Sequence, residues 1–133
     1  MGEAAIVEHG IIGDLQTAAL VSADGAVDWF CCPRFDSPSV FGALLDDTRG
    51  GHLRVRPDIA GYESKQMYVP DTAVLVTRFF TAAGTGEVVD FMPVSGETAT
   101  QRHRIVRILR CVRGRMTFEQ MRQAINDVKA ATD

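Results

Sequence analysis

The chain has 133 residues, of which 46% are hydrophobic and 23% charged, which fits one globular domain and excludes a disordered or low-complexity chain. Its net charge of −3 is uneven: residues 1–100 carry 14 acids against 6 bases, and residues 101–133 carry 8 bases against 3 acids. No apolar run reaches the roughly 18 residues of a membrane span, and no basic and then apolar leader opens the chain, so neither a membrane span nor a secretory signal is expected.

The first part of the chain is predicted to form short strands separated by turns. Residues 18–22 and 27–31 flank Asp24-Gly25, and Asp-Gly between two apolar runs favours a β-hairpin. Residues 33–39 contain two prolines and small polar residues, which is typical of an ordered irregular loop. Residues 40–45 are then predicted to form a short helical turn.

The middle of the chain continues in strands. Residues 52–56 alternate apolar and polar, the period of a half-buried strand, and Pro57 ends the run. Residues 66–69 are predicted to form another short strand. Residues 72–81 are rich in Val, Thr and Phe, a turn with two glycines follows, and residues 87–91 run back. This pattern predicts a second hairpin.

The basic segment at 102–113 has arginine at about every third position, which also fits one face of a helix. Its β-branched content and the strands before it favour a strand. Nucleic-acid binding is one interpretation of the charge. The segment lacks an aromatic stacking platform and a helix-turn-helix pattern, so a solvated strand face or a surface for an acidic partner is preferred. The basic residues are Arg102, His103, Arg104, Arg107, Arg110, Arg113 and Arg115.

The last segment predicts a helix. Thr117 and Gln120 have capping-box spacing, and apolar residues then recur at helical spacing. We therefore predict an amphipathic helix over residues 118–131, and divide the chain into a β domain at 1–116 and a helical tail at 117–133. The apolar positions are Phe118, Met121, Ile125 and Val128.

Residues that carry chemistry are sparse. The odd number of cysteines, Cys31, Cys32 and Cys111, favours reduced thiols and a cytoplasmic setting, with the side chains acting as small buried apolar groups. The three histidines have no metal-ligand spacing, and no phosphate-binding loop or nucleophile elbow occurs. We predict neither a metal nor a cofactor.

Three acids stand out because each adjoins a large apolar residue: Asp28, Asp36 and Asp90. Carboxylate pairs carry out glycoside hydrolysis. Acids in such positions more commonly cap turns or pair with arginine, and Arg34 shares a loop with Asp36. We therefore assign no catalytic role to them.

A longer pattern runs through the chain. Asp24-Gly25, Asp28-Trp29, Pro33-Arg34-Phe35-Asp36-Ser37-Pro38 and Phe41 occur in that order, followed by Tyr68 with Pro70, residues 74–79, Val89-Asp90-Phe91-Met92-Pro93 and residues 104–114. Over roughly residues 4–118 the chain thereby resembles the start of bacterial trehalase-like and glucoamylase-like proteins of glycoside hydrolase family 15.

The resemblance implies an N-terminal antiparallel β-sandwich. In such proteins this domain precedes a larger α/α-barrel whose two glutamates hydrolyse an α-glucosidic bond with inversion. No glutamate here lies in a stretch that resembles the catalytic motifs, so no catalytic residue carries over. The family continues in strands after about Phe118, where this chain has the predicted helix. An incomplete sandwich would leave an edge that the tail covers or through which the chain self-associates.

We therefore predict a mainly β protein, an antiparallel sandwich, complete or incomplete, with a C-terminal helix. Its predicted function is to support a catalytic α/α-barrel outside this chain, and the α-glucoside substrate would be bound only by the full-length protein. The loop at residues 33–38 is the predicted contact with the barrel or with the rim of its pocket. An equally weighted alternative places Phe35 in the core and has Arg34 and Asp36 stabilise the loop locally. A different function is a free-standing module that binds carbohydrate or protein, with Trp29 and Tyr62 as stacking candidates. The candidates for the interface or the pocket rim are Trp29, Pro33, Arg34, Phe35, Asp36 and Ser37.

Overall fold

A computed structural model describes residues 8–32, 39–42, 51–94 and 103–123, with side chains up to residue 119. These residues form ten strands in two antiparallel sheets and contain no α-helix, which confirms the prediction of a mainly β, antiparallel protein. No helix in these ranges is long and apolar enough to span a membrane. The strands are β1 (His9–Gly13), β2 (Ala18–Ser22), β3 (Ala26–Cys31), β4 (Ser39–Phe41), β5 (His52–Pro57), β6 (Glu63–Tyr68), β7 (Leu75–Phe80), β8 (Gly84–Phe91), β9 (Val106–Gly114) and β10 (Phe118–Gln123).

The first sheet has the order β1-β2-β3-β5-β10, and β4 also pairs with β3. The predicted hairpin at Asp24-Gly25 is confirmed as β2–β3. Gly25 has φ 86° and donates its amide to the Ser22 carbonyl at 2.9 Å, so glycine supplies the left-handed backbone that this turn needs. Leu20 pairs with Trp29 and Val21 with Val27, which leaves Asp28 as the extra residue of a β-bulge.

The second sheet has the order β6-β7-β8-β9. The second predicted hairpin is confirmed as β7–β8, closed by the Thr81 amide on the Gly84 carbonyl at 2.9 Å. The arginine-rich segment is confirmed as a strand, since β9 pairs with β8 along its length. Strand β6 begins at Glu63, ahead of the predicted start at residue 66.

The two sheets share a buried core. Ile12, Val21 and Val27 of the first sheet cluster with Leu75 of the second and with Met92. Each such side chain contributes roughly 1.5–3 kcal/mol by leaving water. Strands β1 and β7 approach closely at Gly10, where a Cβ atom would lie 2.5 Å from Leu75 Cδ2. Any side chain at position 10 would therefore force the buried side chain of Leu75 to move.

A second cluster extends the core toward the other end of the sheets. Val55, Phe79 and Val88 are buried there. The Phe79 ring meets Tyr62 edge-on with centroids 5.5 Å apart, and meets Phe118 at 6.1 Å. Edge-to-face geometry at these separations is favourable for aromatic rings. Phe118 thereby joins β10 of the first sheet to β7 of the second.

A buried ion pair also joins the sheets. Arg107 on β9 donates from Nε to Asp90 Oδ1 at 2.7 Å and from Nη2 to Asp90 Oδ2 at 3.1 Å. The same guanidinium donates to the Leu53 carbonyl at 3.2 Å and to the Gly25 carbonyl of the first sheet. The side chains of Arg107 and Asp90 are 8% and 0% exposed. Their bidentate geometry satisfies charges that would be costly to bury alone.

The predicted helix at the C-terminal end is wrong over its first six residues. Residues 118–123 form β10, which pairs with β5 from Phe118 opposite Pro57 to Gln123 opposite His52. The pairing packs the partly buried Phe118 against Phe79 and joins Glu119 to Arg56, so tertiary contacts override the helical spacing. Residues 124–131 of that prediction lie outside the described residues.

The helical turn predicted at residues 40–45 is wrong at its start. Val40 and Phe41 belong to β4, where Phe41 pairs with Phe30 and is buried. Burial of an apolar side chain beside β3 favours the extended backbone there. Residues 43–45 lie outside the described part of the chain.

Candidate interdomain surface

The two described acids among those singled out in the sequence have separate basic partners. Asp28 Oδ2 lies 2.6 Å from His9 Nε2, and the side chains are 11% and 0% exposed. Burial raises the pKa of the Asp28 carboxyl above its ordinary value of 3.8, and the contact with His9 opposes that rise. Burial likewise raises the pKa of Asp90, and Arg107 opposes it. Both acids are buried in structural contacts; Asp36 lies outside the described residues.

A second buried acid–histidine pair was missed in the sequence. Asp14 Oδ2 lies 2.5 Å from His103 Nδ1, with side chains 1% and 0% exposed. Asp14 Oδ1 accepts the amides of Gln16 and Thr17, both at 3.0 Å. Burial alone would raise the pKa of Asp14, but the hydrogen bonds from His103 and the two amides outweigh it and lower the pKa. Gly13-Asp14 ahead of Gln16 is a turn signal in the sequence, whereas nothing there indicates His103 as its partner.

Glu87 is a third buried acid, and it lies under two arginines. Its side chain is 4% exposed and contacts Arg78 Nη2 at 3.0 Å and Arg110 Nε at 3.1 Å. The register places Arg78, Glu87 and Arg110 side by side across β7, β8 and β9. This row is a cross-strand ion network, so Glu87 is not placed as a general acid or base.

Cys31 and Cys32 lack the features of a reactive thiol. All three cysteines are free: Cys31 is buried, Cys32 is partly buried and Cys111 is exposed. The prediction of buried apolar thiols therefore fails for Cys111. Burial raises the pKa of Cys31, and burial and then the Asp14 charge raise the pKa of Cys32. Both effects disfavour the thiolate that nucleophilic catalysis needs. In the described ranges, no group of three or more His, Cys, Asp or Glu residues could hold a metal ion.

Trp29 belongs to an apolar row on the first sheet. The register aligns Ile11 on β1, Leu20 on β2 and Trp29 on β3. Register partners share a face, and their neighbours Ile12, Ala19 and Val21 are in the core, so the row lies on the face opposite the core. Leu20 and Trp29 are partly buried and Ile11 is 53% exposed. We call Ile11, Leu20 and Trp29 the tryptophan row.

Trp29 comes four residues before the start of the loop predicted from the sequence. Trp29 is followed by Phe30, Cys31 and Cys32, and the chain is described again from Ser39, which starts β4 beside Cys31. The other candidates, Pro33, Arg34, Phe35, Asp36 and Ser37, lie outside the described residues. Of the six candidate residues, Trp29 is therefore the one whose surroundings can be described.

Tyr62, the second aromatic named in the sequence, lines a groove at another part of the surface. The groove has a volume of about 430 Å³. Arg56 donates to Glu119 Oε1 along one wall, and this contact is the main reason that the pKa of Arg56 is raised. A smaller groove of about 190 Å³ continues past Asp58 and Ile59. The larger groove is lined by Arg56, Pro57, Asp58, Ile59, Ala60, Tyr62 and Glu119.

Comparison with known proteins gives one consistent result. Residues 1–121 match the family described as trehalase-like, N-terminal. The chain is 35% identical over 125 residues to a trehalase from Mycolicibacterium smegmatis, a match that covers 82% of this chain and 18% of that protein. It is 47% identical over 94 residues to trehalase 1 from Sulfolobus acidocaldarius, covering 70% of this chain and 16% of that protein. The chain thus spans less than a fifth of the length of these relatives. No solved structure matches it.

Proposed function

Because the chain belongs to the trehalase-like N-terminal family, we propose that it is the non-catalytic N-terminal domain of a trehalase-like glycoside hydrolase. The observation that supports this proposal is the share of each relative that the chain matches: 18% of the Mycolicibacterium smegmatis trehalase. The buried acids in the described ranges agree with it, since Asp14, Asp28, Glu87 and Asp90 each have structural partners. The α-glucoside substrate would then meet a separate catalytic α/α-barrel of family 15 type.

The architecture within this proposal is a β-sandwich. Two antiparallel sheets with a common core, joined by Arg107, favour that arrangement. The predicted boundary after residue 116 stays a prediction, and the pairing of β10 with β5 favours a boundary after Gln123 instead. The free cysteines support a cytoplasmic setting.

The proposed contact with the catalytic part is the tryptophan row together with Pro33, Arg34, Phe35, Asp36 and Ser37. A partly buried aromatic flanked by aliphatic side chains, as Trp29 is, is typical of the centre of an interface. The row also lies on the face away from the core, so a partner can reach it without opening the fold. Trp29 would provide most of the contact energy.

We expect this chain to bind the catalytic part of a related trehalase, and the tryptophan row to be needed. The partner is the Mycolicibacterium smegmatis trehalase with its matched N-terminal segment deleted. Adding this chain should restore trehalose hydrolysis or raise the melting temperature of the truncated enzyme. Trp29→Ser and Ile11→Ser should each weaken the binding of this chain to the truncated enzyme. Trp29→Ser should lower the affinity by about tenfold, the usual cost of removing an interface aromatic.

The matched control is Met67→Ser on the other sheet, where a side chain of similar exposure (46%) is changed. Denaturant unfolding of each variant separates loss of binding from loss of fold. If the truncated trehalase is as active and as stable as the intact enzyme, the supporting role is wrong. If Met67→Ser and Ile11→Ser weaken the effect equally, the role stands but its assignment to the tryptophan row is wrong.

The groove at Tyr62 favours a second candidate function, a carbohydrate-binding module. The ring and hydroxyl of Tyr62, with the Glu119 carboxylate and the Arg56 guanidinium beside them, provide both stacking and hydrogen bonds for a sugar. Calorimetric titration with trehalose tests it. Binding that is lost in Tyr62→Leu and kept in Tyr68→Leu, which alters the other tyrosine, would favour the module. The absence of binding at millimolar trehalose would exclude it.

A further inference from the structure

Strand β9 is an open edge of the second sheet. In the part of the chain that the structure describes, it pairs with β8 and with no other strand. Every second residue of an edge strand directs its N–H and C=O groups away from its neighbour. At nine residues, β9 offers a long template for a further strand.

The side chains of this edge are unusually apolar for a surface strand. Ile108, Leu109 and Val112 are 43%, 47% and 48% exposed. Ile108 is next to Val89 and Leu109 is next to Val88 in the register, so the two side chains lie on opposite faces of the sheet. A strand added beside β9 would cover both of them, which a contact on one face alone would not.

The charges along β9 indicate which kind of strand could bind beside it. Arg110 and Arg113 are register partners of Glu87 and Thr85 and point to the same face as Ile108, because Val112 is the extra residue where the register shifts. The Arg110 side chain is 63% exposed although it contacts Glu87, and Arg113 is exposed. Arg107 is already satisfied by Asp90. The edge therefore presents two accessible positive charges beside an apolar stripe.

A second copy of this chain is a poor occupant. Antiparallel pairing of two β9 strands about their central residue would set Arg110 directly against Arg110. Like charges directly opposite each other destabilise a pair of strands. A strand with glutamate or aspartate opposite these arginines would gain from the same positions.

We propose that β9 is a strand-addition site for an extended segment, alternately apolar and acidic, supplied by a polypeptide outside this chain. The segment would extend the second sheet by one strand, with its backbone hydrogen-bonded to β9. Its acidic side chains would pair with Arg110 and Arg113 on one face of the sheet, and its apolar side chains would cover Leu109 on the other face. This assignment rests on β9 alone and stands whether or not the tryptophan row contacts a catalytic domain.

The test uses the whole chain and two short acetylated peptides. In the first, glutamate alternates with valine and threonine. In the second, lysine replaces each glutamate. We expect the glutamate peptide to shift the NMR amide signals of β9 and to protect its outward amides from exchange, and the lysine peptide to do neither. Arg113→Glu should lower the affinity for the glutamate peptide by about tenfold at low salt, and by less at high salt. Lys65→Glu is the matched control, since it makes the same change of charge on β6, the opposite edge of the sheet, and should have little effect.

Several outcomes would overturn the proposal. They are equal binding of both peptides, shifts centred on β6 or β1, no binding of the glutamate peptide by a folded chain, and concentration-dependent dimerisation that protects β9 without any peptide. If Arg113→Glu fails to fold, the salt dependence of binding to the unmodified chain provides the same test, because a charge-selected strand must weaken as salt rises.

Discussion

Replacing Arg107 with methionine is expected to cost about 3–5 kcal/mol of unfolding free energy, the range for removing one partner of a buried ion pair. Asp90, whose side chain is 0% exposed, would keep its carboxylate without a counter-ion. The carbonyls of Gly25 and Leu53 would lose a donor as well. Since small domains have only about 5–15 kcal/mol in total, a large part of the population should unfold at moderate temperature. Urea unfolding followed by the fluorescence of Trp29, the single tryptophan, measures the loss.

Two further variants isolate the cause. Arg113→Met removes an exposed arginine from the same strand and should change the unfolding free energy by no more than about 0.5 kcal/mol. The double variant Asp90→Asn with Arg107→Met should be more stable than Arg107→Met alone, because it no longer buries an unpaired charge. If the double variant loses the sum of the two single losses, the ion pair does not couple the two residues.

Replacing Asp14 with asparagine should cost about 1.5–3 kcal/mol at neutral pH, the range for a hydrogen bond to a charged group. Asparagine keeps the shape of the side chain and an oxygen for the amides of Gln16 and Thr17. The change therefore removes mainly the charge that faces His103. Asp14→Ala should cost more, since it also removes the acceptor of the turn. Both costs are read from urea unfolding at neutral pH.

The cost of Asp14→Asn should depend on pH in a defined direction. The folded state lowers the pKa of Asp14 below its ordinary value of 3.8, so the folded state binds that proton less readily than the unfolded state does. The contribution of Asp14 is then complete above about pH 4 and is lost as the pH falls through the folded-state pKa. The difference between the natural chain and Asp14→Asn should shrink over that range. Asp28 and Asp90, whose pKa values shift upward, are present in both proteins and largely cancel.

The matched comparison for this pH dependence is Asp71→Asn. Asp71 is exposed, so its replacement should change the unfolding free energy by no more than about 0.5 kcal/mol. A difference between Asp14→Asn and the natural chain that grows below pH 4 would contradict the assignment of Asp14 as a charge stabilised by the fold.

Local signals predicted much of the fold. The hairpins at Asp24-Gly25 and at residues 82–86 could be predicted, because a hairpin turn depends on a few residues that are adjacent in the sequence. The β-branched content of residues 105–112 predicted β9 correctly in spite of its helical arginine spacing. The resemblance carried by residues such as Trp29, Asp90 and Phe91 led to the same family as the match over residues 1–121.

Pairings between distant residues could not be predicted in the same way. Phe118 has helical spacing to its neighbours, yet its strand is decided by β5 and Phe79, which lie far from it in sequence. Asp14 and His103 are 89 positions apart, and neither position indicates the other. Among the site candidates, Trp29 could be recognised by its residue type, but its alignment with Ile11 depends on the register of three strands.

The hydroxyl of Tyr68 has a consequence for how this chain associates. It accepts the amide of Ile11 at 2.8 Å and donates to the carbonyl of the same residue at 3.1 Å. Those are the two groups through which a foreign strand would dock in the middle of β1. The Tyr68 side chain thus obstructs strand addition at the β1 edge, while the β9 edge stays available on the other sheet. A strand that docks on this molecule must therefore use an edge other than the middle of β1.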